Sequence, residues 1–246
     1  RQAHIPPLPV MPAPYLFGPA EAGVVDVHDK LLGNQMTVAL AKGLTQLAGE
    51  CRVKEVNLSG NGLGAPSMPA IQEFFTARHV VKTLVKIDLS NNPIGERSVE
   101  NPHEGQAEGC RLLAEAIAGN AYVQELILSD CKMNDKGALY LMPSIGECAA
   151  LKVLNISHNG LTARGAVDIA EMLDQTLGLE DLDVSWNKLG PKGSKMLIHA
   201  LENCETLLKL NMEWNSACDA VMELEEVLQD GVLQEIDLSN NEIGEK

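Results

Sequence analysis

The two tryptophans of this chain, Trp186 and Trp214, are its strongest candidates for recognising another molecule. The interval between them equals the interval from His158 to Trp186. If this interval is the length of a structural repeat, the three side chains occupy equivalent positions and lie side by side. Exposed aromatic residues anchor protein partners, but they also pack along the edge of a repeat array. The sequence leaves both interpretations open, and we favour contact with a partner.

Carboxylates dominate the sequence around the aromatic residues and predict the charge of that partner. The acidic residues are Glu180, Asp181, Asp183, Glu213, Glu235 and Asp237. Lysines interrupt this acidic surface at Lys54, Lys86, Lys152 and Lys209. Because opposite charges steer association and select partners, we expect the partner to be a basic or amphipathic protein segment. The candidate partner-binding residues are Trp186, Trp214, His158, Asp183, Asp181, Glu213 and Asp237.

Motifs of catalytic and metal-binding sites are absent from the sequence. It contains no GxxxxGKS/T phosphate-binding loop, no GxSxG nucleophile motif, no HExxH zinc motif and no DxDxDG calcium loop. His158 follows Ser157 without a catalytic constellation beside them, and we interpret His158 as a surface residue. The six cysteines form no CxxC pair and have no histidine cluster, which argues against zinc. We expect a non-enzymatic protein without a cofactor or a metal ion.

The overall charge argues against two classes of partner. Lys and Arg total 19 against 34 Asp and Glu, so the formal net charge is -15. Such a surface repels nucleic-acid phosphates and anionic lipids, and we expect neither nucleic acid nor membrane as a direct partner. The sequence shows no run of about 18 apolar residues and no signal-peptide pattern. We therefore expect a cytoplasmic protein.

A repeated pattern, LxxLxLxxNxL, supplies the element that positions these residues. Leu151 to Leu161 and Leu179 to Leu189 match it at every position, and five further segments match it closely. The residues at its Asn position are Asn61, Asn92, Cys131, Asn159, Asn187, Asn215 and Asn241. Seven copies in register are a strong indication of a repeat architecture.

The spacing within one copy predicts a strand followed by a helix. The first, fourth and sixth residues alternate inward on a short strand, and the Asn side chain bonds the turn that follows. Helical apolar spacing follows Gly109, Gly137, Gly165 and Gly193. One strand and one helix cannot bury their apolar faces alone, whereas stacked repeats can. We therefore predict an α/β horseshoe solenoid, with a parallel sheet on the concave face and helices on the convex face.

These repeats resemble the ribonuclease-inhibitor type of leucine-rich repeat over roughly residues 53–246. The resemblance implies the fold, because the matching residues are core residues. For function it implies a protein-interaction scaffold within a larger hetero-oligomeric assembly that is cytoplasmic, cytoskeletal, or ciliary and axonemal. Two alternatives remain open, a GTPase-activating protein resembling the Ran regulator and the ligand-sensing repeat region of a NOD-like receptor.

The chain divides into three parts by composition and pattern. Residues 1–23 are rich in proline and predict an extended arm. Residues 24–52 predict a degenerate first repeat or N-terminal cap, in which Leu31 and Asn34 keep part of the pattern. Residues 53–246 hold the seven repeats, and the last of them is truncated.

A polar insertion at residues 96–106 lengthens the interval between the Asn positions at Asn92 and Cys131. We expect it on the rim where strands lead into helices, with Glu100, Pro102 and His103 as candidate partner-binding residues. Insertions in solenoids often lie on binding edges, but long surface loops are also tolerated at little cost. The sequence does not decide between these two interpretations.

Overall fold

The computed structural model describes residues 23–47, 52–96, 107–118, 120–225 and 232–244. The predicted proline-rich arm lies outside the described residues except for Gly23. The predicted rim-loop residues Glu100, Pro102 and His103 also lie outside them, as does Cys51.

Eight short strands form one parallel sheet, and they are ordered in the sheet as they are in the chain. The strands are β1 Val24–Asp26, β2 Glu55–Asn57, β3 Lys86–Asp88, β4 Glu125–Ile127, β5 Val153–Asn155, β6 Asp181–Asp183, β7 Lys209–Asn211 and β8 Glu235–Asp237. The register follows the repeat, so that Leu154 pairs with Leu182 and Leu182 pairs with Leu210. Each repeat therefore adds one strand beside the previous one.

Helices alternate with the strands, and each helix packs against the next one along the chain. The helices are α1 Gly33–Leu47, α2 Met68–Thr76, α3 Glu108–Ile117, α4 Asn134–Gly146, α5 Ala163–Gln175 and α6 Gly190–Ala200. Two 3-10 segments, Ala65–Ser67 and Cys218–Glu223, complete the described elements. The chain thus has the predicted α/β leucine-rich-repeat solenoid fold, with a sheet face and a helix face. None of the described helices is long and apolar enough to span a membrane.

The core lies between the sheet and the helices and has the predicted pattern of inward residues. In the coil of β5, Leu151, Leu154 and Ile156 are buried on the strand side. From the helix side, Ile169 and Leu173 of α5 are buried against them. Burial of aliphatic side chains in every coil supplies the main stabilising term of such a stack.

The Asn position of the repeat forms a buried hydrogen-bonded column, which we call the asparagine ladder. The Asn159 Oδ1 accepts the backbone N–H groups of Cys131 and Met133 in the preceding coil, at 3.0 and 3.1 Å. Its Nδ2 donates to three backbone carbonyls at 2.7 to 3.0 Å. The amide therefore provides hydrogen-bond partners for the backbone groups that are buried at the turn that ends each strand. Cys131 takes this position in its own coil and donates from Sγ to the carbonyl of Leu89 at 3.2 Å.

The glycines that were expected to precede the helices lie inside them, and this expectation was wrong by one turn. Gly193, for example, belongs to α6, which begins at Gly190. A Cβ on Gly193 would come within 3.0 Å of the Cα of Ala163 in α5. A Cβ on Gly109 of α3 would lie 2.2 Å from the carbonyl oxygen of Ile94. These glycines therefore allow the helix starts to pack closely against neighbouring backbone.

The first coil has a different register from the one its sequence predicted. Strand β1 pairs Val25 with Val56, which makes Val25 and Val27 the buried residues of this coil. Leu31 is 88% exposed and takes no part in the core. The residue at the Asn position is Lys30, whose backbone N–H donates to the Asn61 Oδ1 at 3.0 Å. The expected pattern around Leu31 failed because Val and Lys replace Leu and Asn in this coil.

Candidate partner-binding surface

The residue before each asparagine-ladder position adopts the left-handed backbone conformation. In this column φ lies between 50° and 66° at Asp29, Gly60, Asn91, Asp130, His158, Trp186, Trp214 and Asn240. Gly, Asn and Asp tolerate this region, whereas a bulky residue there costs roughly 1–2 kcal/mol. This requirement was not predicted from the sequence, although the Gly, Asn and Asp residues of the column were a signal for it. Trp186 and Trp214 therefore occupy positions that the backbone would assign to small polar residues.

The structure brings His158, Trp186 and Trp214 together in one stack, which we call the aromatic ladder. The ring centroids of His158 and Trp186 are 5.0 Å apart, with an interplanar angle of 13°. Those of Trp186 and Trp214 are 4.7 Å apart at 27°. Each tryptophan remains 44% exposed, so stacking does not remove the rings from solvent.

The stacked arrangement determines which part of each indole a partner can reach. Trp186 lies between His158 and Trp214, so both of its faces are covered and its ring edge is open. Aromatic edges carry partial positive charge, and the indole Nε1–H is a hydrogen-bond donor. Within the described part of the chain, neither Trp186 nor Trp214 has an acceptor for this donor. The aromatic ladder therefore presents an apolar edge with two indole donors.

Two of the candidate carboxylates accept hydrogen bonds that stabilise the turns leading to the aromatic ladder. The Asp183 Oδ1 accepts the backbone N–H of Ser185 at 2.9 Å, and its Oδ2 accepts from the Asn155 Nδ2 at 3.0 Å. The Asp237 Oδ1 accepts the backbone N–H of Ser239 at 2.8 Å. Hydrogen bonds from the hydroxyl and backbone N–H of Ser239 lower the pKa of Asp237. Asn57, Asn155 and Asn211 make the same turn bond in their coils.

Glu213 lies directly before Trp214 and is the candidate carboxylate nearest to the ladder in sequence. Its Oε1 accepts a hydrogen bond from the Asn240 Nδ2 at 3.1 Å, and its side chain is partly exposed. One carboxylate oxygen therefore has a partner in the next coil. The negative charge stays on the edge of the aromatic ladder.

On the sheet face, acidic and basic side chains alternate along one column of strand positions. This column was not predicted from the sequence. At equivalent strand positions lie Glu55, Lys86, Glu125, Val153, Asp181, Lys209 and Glu235. The Lys209 Nζ is 2.7 Å from Glu235, and the hydrogen bond that it donates to that carboxylate raises the lysine pKa. The pKa of Asp181 is raised by partial burial, with Asp183 and Glu235 acting in the same direction against Lys209.

The lysines that were expected to interrupt the acidic surface are mostly paired along the solenoid. Lys86 bonds Glu125 at 2.5 Å, and Lys152 bonds Glu180 at 2.7 Å. Each pair joins neighbouring coils, so these lysines neutralise carboxylates and offer little free positive charge. Among the described residues, the candidate carboxylates Asp183, Glu213 and Asp237 have no cation within 4.0 Å.

Metal binding and thiol reactivity depend on the histidine, cysteine and carboxylate side chains of the described residues. No group of three or more His, Cys, Asp or Glu in that part of the chain could hold a metal ion. Five described cysteines carry free thiols, and four of them are buried. Burial raises the pKa of Cys110 to about 12 and that of Cys148 to about 11. The thiols of Cys110 and Cys148 are therefore protonated at neutral pH.

Comparisons with known proteins agree with the repeat architecture. A family model described as Leucine Rich repeat matches residues 119–142, 147–170 and 179–197, so the chain contains leucine-rich repeats. No curated protein sequence matches the chain.

Several solved structures are similar in fold. Actin-binding site 2 of leiomodin-1 has 23% identity and a TM-score of 0.44, covering 55% of this chain and 79% of that one. The tropomodulin C-terminal domain of Caenorhabditis elegans has 16% identity and a TM-score of 0.42, covering 77% and 91%. TLR13 in its complex with ssRNA13 has 18% identity and a TM-score of 0.39, covering 80% of this chain and 34% of that one. The similarity extends to the repeat fold and no further.

Proposed function

We propose that the chain is a non-catalytic protein-binding module whose docking site is the aromatic ladder and the carboxylates beside it. The observation that best supports this proposal is that Trp186 and Trp214 adopt the left-handed backbone conformation while their rings stay half exposed. Asn91 and Asn240 fill the same column without that conflict. Residues that oppose local backbone preference and leave large apolar surface exposed are typical of functional sites.

The chemistry of the surface favours an amphipathic partner segment with a basic edge. The open indole edges accept apolar groups, and their N–H groups suit carbonyl oxygens of the partner. Asp183, Glu213 and Asp237 lie along the same turns and suit Lys or Arg side chains. The net charge of -15 supports the same sign of partner.

The wider setting that we propose is a scaffold subunit of a cytoplasmic assembly, either cytoskeletal or ciliary and axonemal, built on repeats of the ribonuclease-inhibitor type. The similar leiomodin-1 structure is that of an actin-binding site, and actin is therefore a defined protein to include among the first binding tests. The aromatic ladder would supply the anchor within such an assembly, and the acidic edge would select the basic partner segment.

Intrinsic fluorescence offers a direct test, because both tryptophans of the chain lie in the aromatic ladder. We would titrate the protein with two synthetic helical peptides that share an apolar face and differ in carrying Lys or Glu along one edge. The Lys-edged peptide is expected to change tryptophan emission and to bind at least about tenfold more tightly at the ladder than the Glu-edged peptide. An emission signal that does not depend on peptide charge would contradict the proposal.

A pair of variants distinguishes binding at the aromatic ladder from nonspecific hydrophobic binding elsewhere on the surface. Trp186→Asn/Trp214→Asn keeps a residue type that the left-handed position accepts and removes both rings. Its affinity for the fluorescein-labelled Lys-edged peptide should fall about tenfold or more, as expected for loss of buried aromatic anchors. The control Leu177→Asn, at an apolar residue exposed elsewhere, should leave the affinity unchanged. Equal losses in the two variants would sink the proposed site.

The acidic edge can be tested while the turn bonds to Ser185 and Ser239 are kept, although Asp183→Asn gives up the bond that its Oδ2 accepts from Asn155. Asp183→Asn/Asp237→Asn retains the side-chain oxygen that accepts the turn N–H, as Asn57, Asn155 and Asn211 do. Affinity for the Lys-edged peptide should fall a few-fold at low ionic strength, and the difference should shrink near 1 M salt, where the screening length is about 3 Å. An unchanged affinity would remove these carboxylates from the site.

A further inference from the structure

The helix face carries exposed apolar side chains on three consecutive helices. They are Leu139 and Tyr140 of α4, Val167 of α5 and Met196 of α6, and each is at least 36% exposed. Leu139 and Val167 are one repeat apart, so they occupy matching places on neighbouring helices. We call these four residues the helix-face patch.

Close packing of the helices brings these side chains onto neighbouring elements. Helix α4 packs against α5, and α5 packs against α6. A Cβ on Gly193 would lie 3.0 Å from the Cα of Ala163, which shows how near α6 comes to α5. Single exposed apolar residues need no explanation, but neighbouring ones on adjacent elements mark interaction surfaces.

A row of cations borders this patch at the beginning of the same helices. Lys136, Arg164 and Lys192 are exposed, are each one repeat apart, and lie in the first turns of α4, α5 and α6. In the described ranges, none of the three is within 4.0 Å of a carboxylate oxygen. We call these three residues the cation row.

The placement of the cation row opposes the local preference of a helix. The first turn carries the positive end of the helix dipole, where a cation is unfavourable and an anion favourable. Helices α5 and α6 have no acidic residue in that turn, although acidic residues outnumber basic ones in the chain. Three cations in equivalent unfavourable positions therefore indicate a gain outside helix stability.

Acidic side chains on α5 make one side of this surface negative. Asp168 lies between the positions of Tyr140 and Met196 in the repeat, and Glu171 follows one turn later. Partial burial raises the pKa of Asp168, with Glu171 and Asp135 acting in the same direction. A carboxylate-bearing partner is repelled from this side of the patch and attracted to the side of the cation row.

We propose that the helix-face patch and the cation row together form a second docking surface, which binds an amphipathic helix of a partner protein through its apolar face and a carboxylate-bearing edge. The charge of this surface is opposite to that of the aromatic ladder. A protein with both surfaces joins two partners of different charge, one on each side of the solenoid.

The same two peptides test this second surface, with the opposite expected preference. Fluorescence anisotropy of labelled Glu-edged peptide should show binding that leaves tryptophan emission unchanged, because both tryptophans belong to the aromatic ladder. The triple variant Lys136→Gln/Arg164→Gln/Lys192→Gln should weaken that binding about tenfold at low salt. Removing cations from helix N-termini favours the helices, so a loss of binding does not come from unfolding.

A matched control changes the net charge by the same amount elsewhere. Lys42→Gln/Arg78→Gln/Lys82→Gln neutralises three exposed cations away from the patch and should change affinity less than about twofold. Retained Glu-edged binding in Trp186→Asn/Trp214→Asn would show that the second surface stands apart from the ladder. The proposal is overturned if the Glu-edged peptide does not bind, if both triples weaken it equally, or if the ladder variant abolishes it.

Discussion

Two neighbouring columns of the solenoid, the asparagine ladder and the aromatic ladder, lie at adjacent positions of each repeat and follow opposite rules. Asn187 is buried, and both polar atoms of its side chain are hydrogen-bonded. Trp186, the residue before it, is half exposed, has a left-handed backbone and stacks only on its neighbours in the column. We infer from this contrast that the asparagine ladder serves the fold, and we propose that the aromatic ladder serves binding.

Removing one rung of the asparagine ladder should have the largest effect on stability. In Asn187→Ala, the backbone N–H groups of Asn159 and Leu161 lose their acceptor, and three carbonyls lose a donor. We expect the free energy of unfolding to fall by roughly 3–5 kcal/mol, because several buried groups are left unpaired. Urea unfolding followed by circular dichroism measures the change. A loss below about 1 kcal/mol would contradict the structural role of the column.

Cys131→Asn, in contrast to Asn187→Ala, should complete the asparagine ladder and increase stability. The thiol donates to the Leu89 carbonyl but has no oxygen with which to accept backbone N–H groups as Asn159 does. We expect the substitution to raise the free energy of unfolding by about 1 kcal/mol, the usual net value of restored hydrogen bonds. A lower stability would instead show that the site is shaped for the smaller thiol and is overpacked by an amide.

Sequence alone predicted the asparagine ladder much better than the proposed binding surface. The repeat pattern identified seven positions of the asparagine ladder, including Cys131, because each must solve the same hydrogen-bonding problem. The regular interval of the repeat also indicated that His158, Trp186 and Trp214 are neighbours. The left-handed backbone of that column was not predicted, although Gly60 and Asn91 pointed to it.

Features that depend on contacts between coils could not be read from a single repeat. The pairing of Lys209 with Glu235 depends on the register of adjacent strands, which places residues of different coils side by side. The stacking angles of the rings depend on side-chain conformations in neighbouring coils. The register of the first coil was not predicted because Val and Lys occupy positions where the repeat pattern has Leu and Asn.

A smaller effect is expected in the turn that supports the aromatic ladder. The lowered pKa of Asp237 means that its turn contributes stability above the usual carboxyl value of 3.8 and loses it as pH falls through the folded-state pKa. Asp237→Asn should remove this pH dependence. The difference in urea midpoint between the two proteins should correspond to less than about 0.5 kcal/mol, because solvent screens this exposed group. Identical acid profiles would contradict the proposed turn bond.

The measurement that tests the central claim most directly is the free energy of unfolding of Trp186→Asn/Trp214→Asn. Relief of two left-handed tryptophan positions offsets the loss of their stacking and partial burial. If the aromatic ladder serves binding, the free energy of unfolding should stay within about 1 kcal/mol of the wild-type value. A loss comparable to that of Asn187→Ala would show that the aromatic ladder holds the solenoid together, and it would contradict this account.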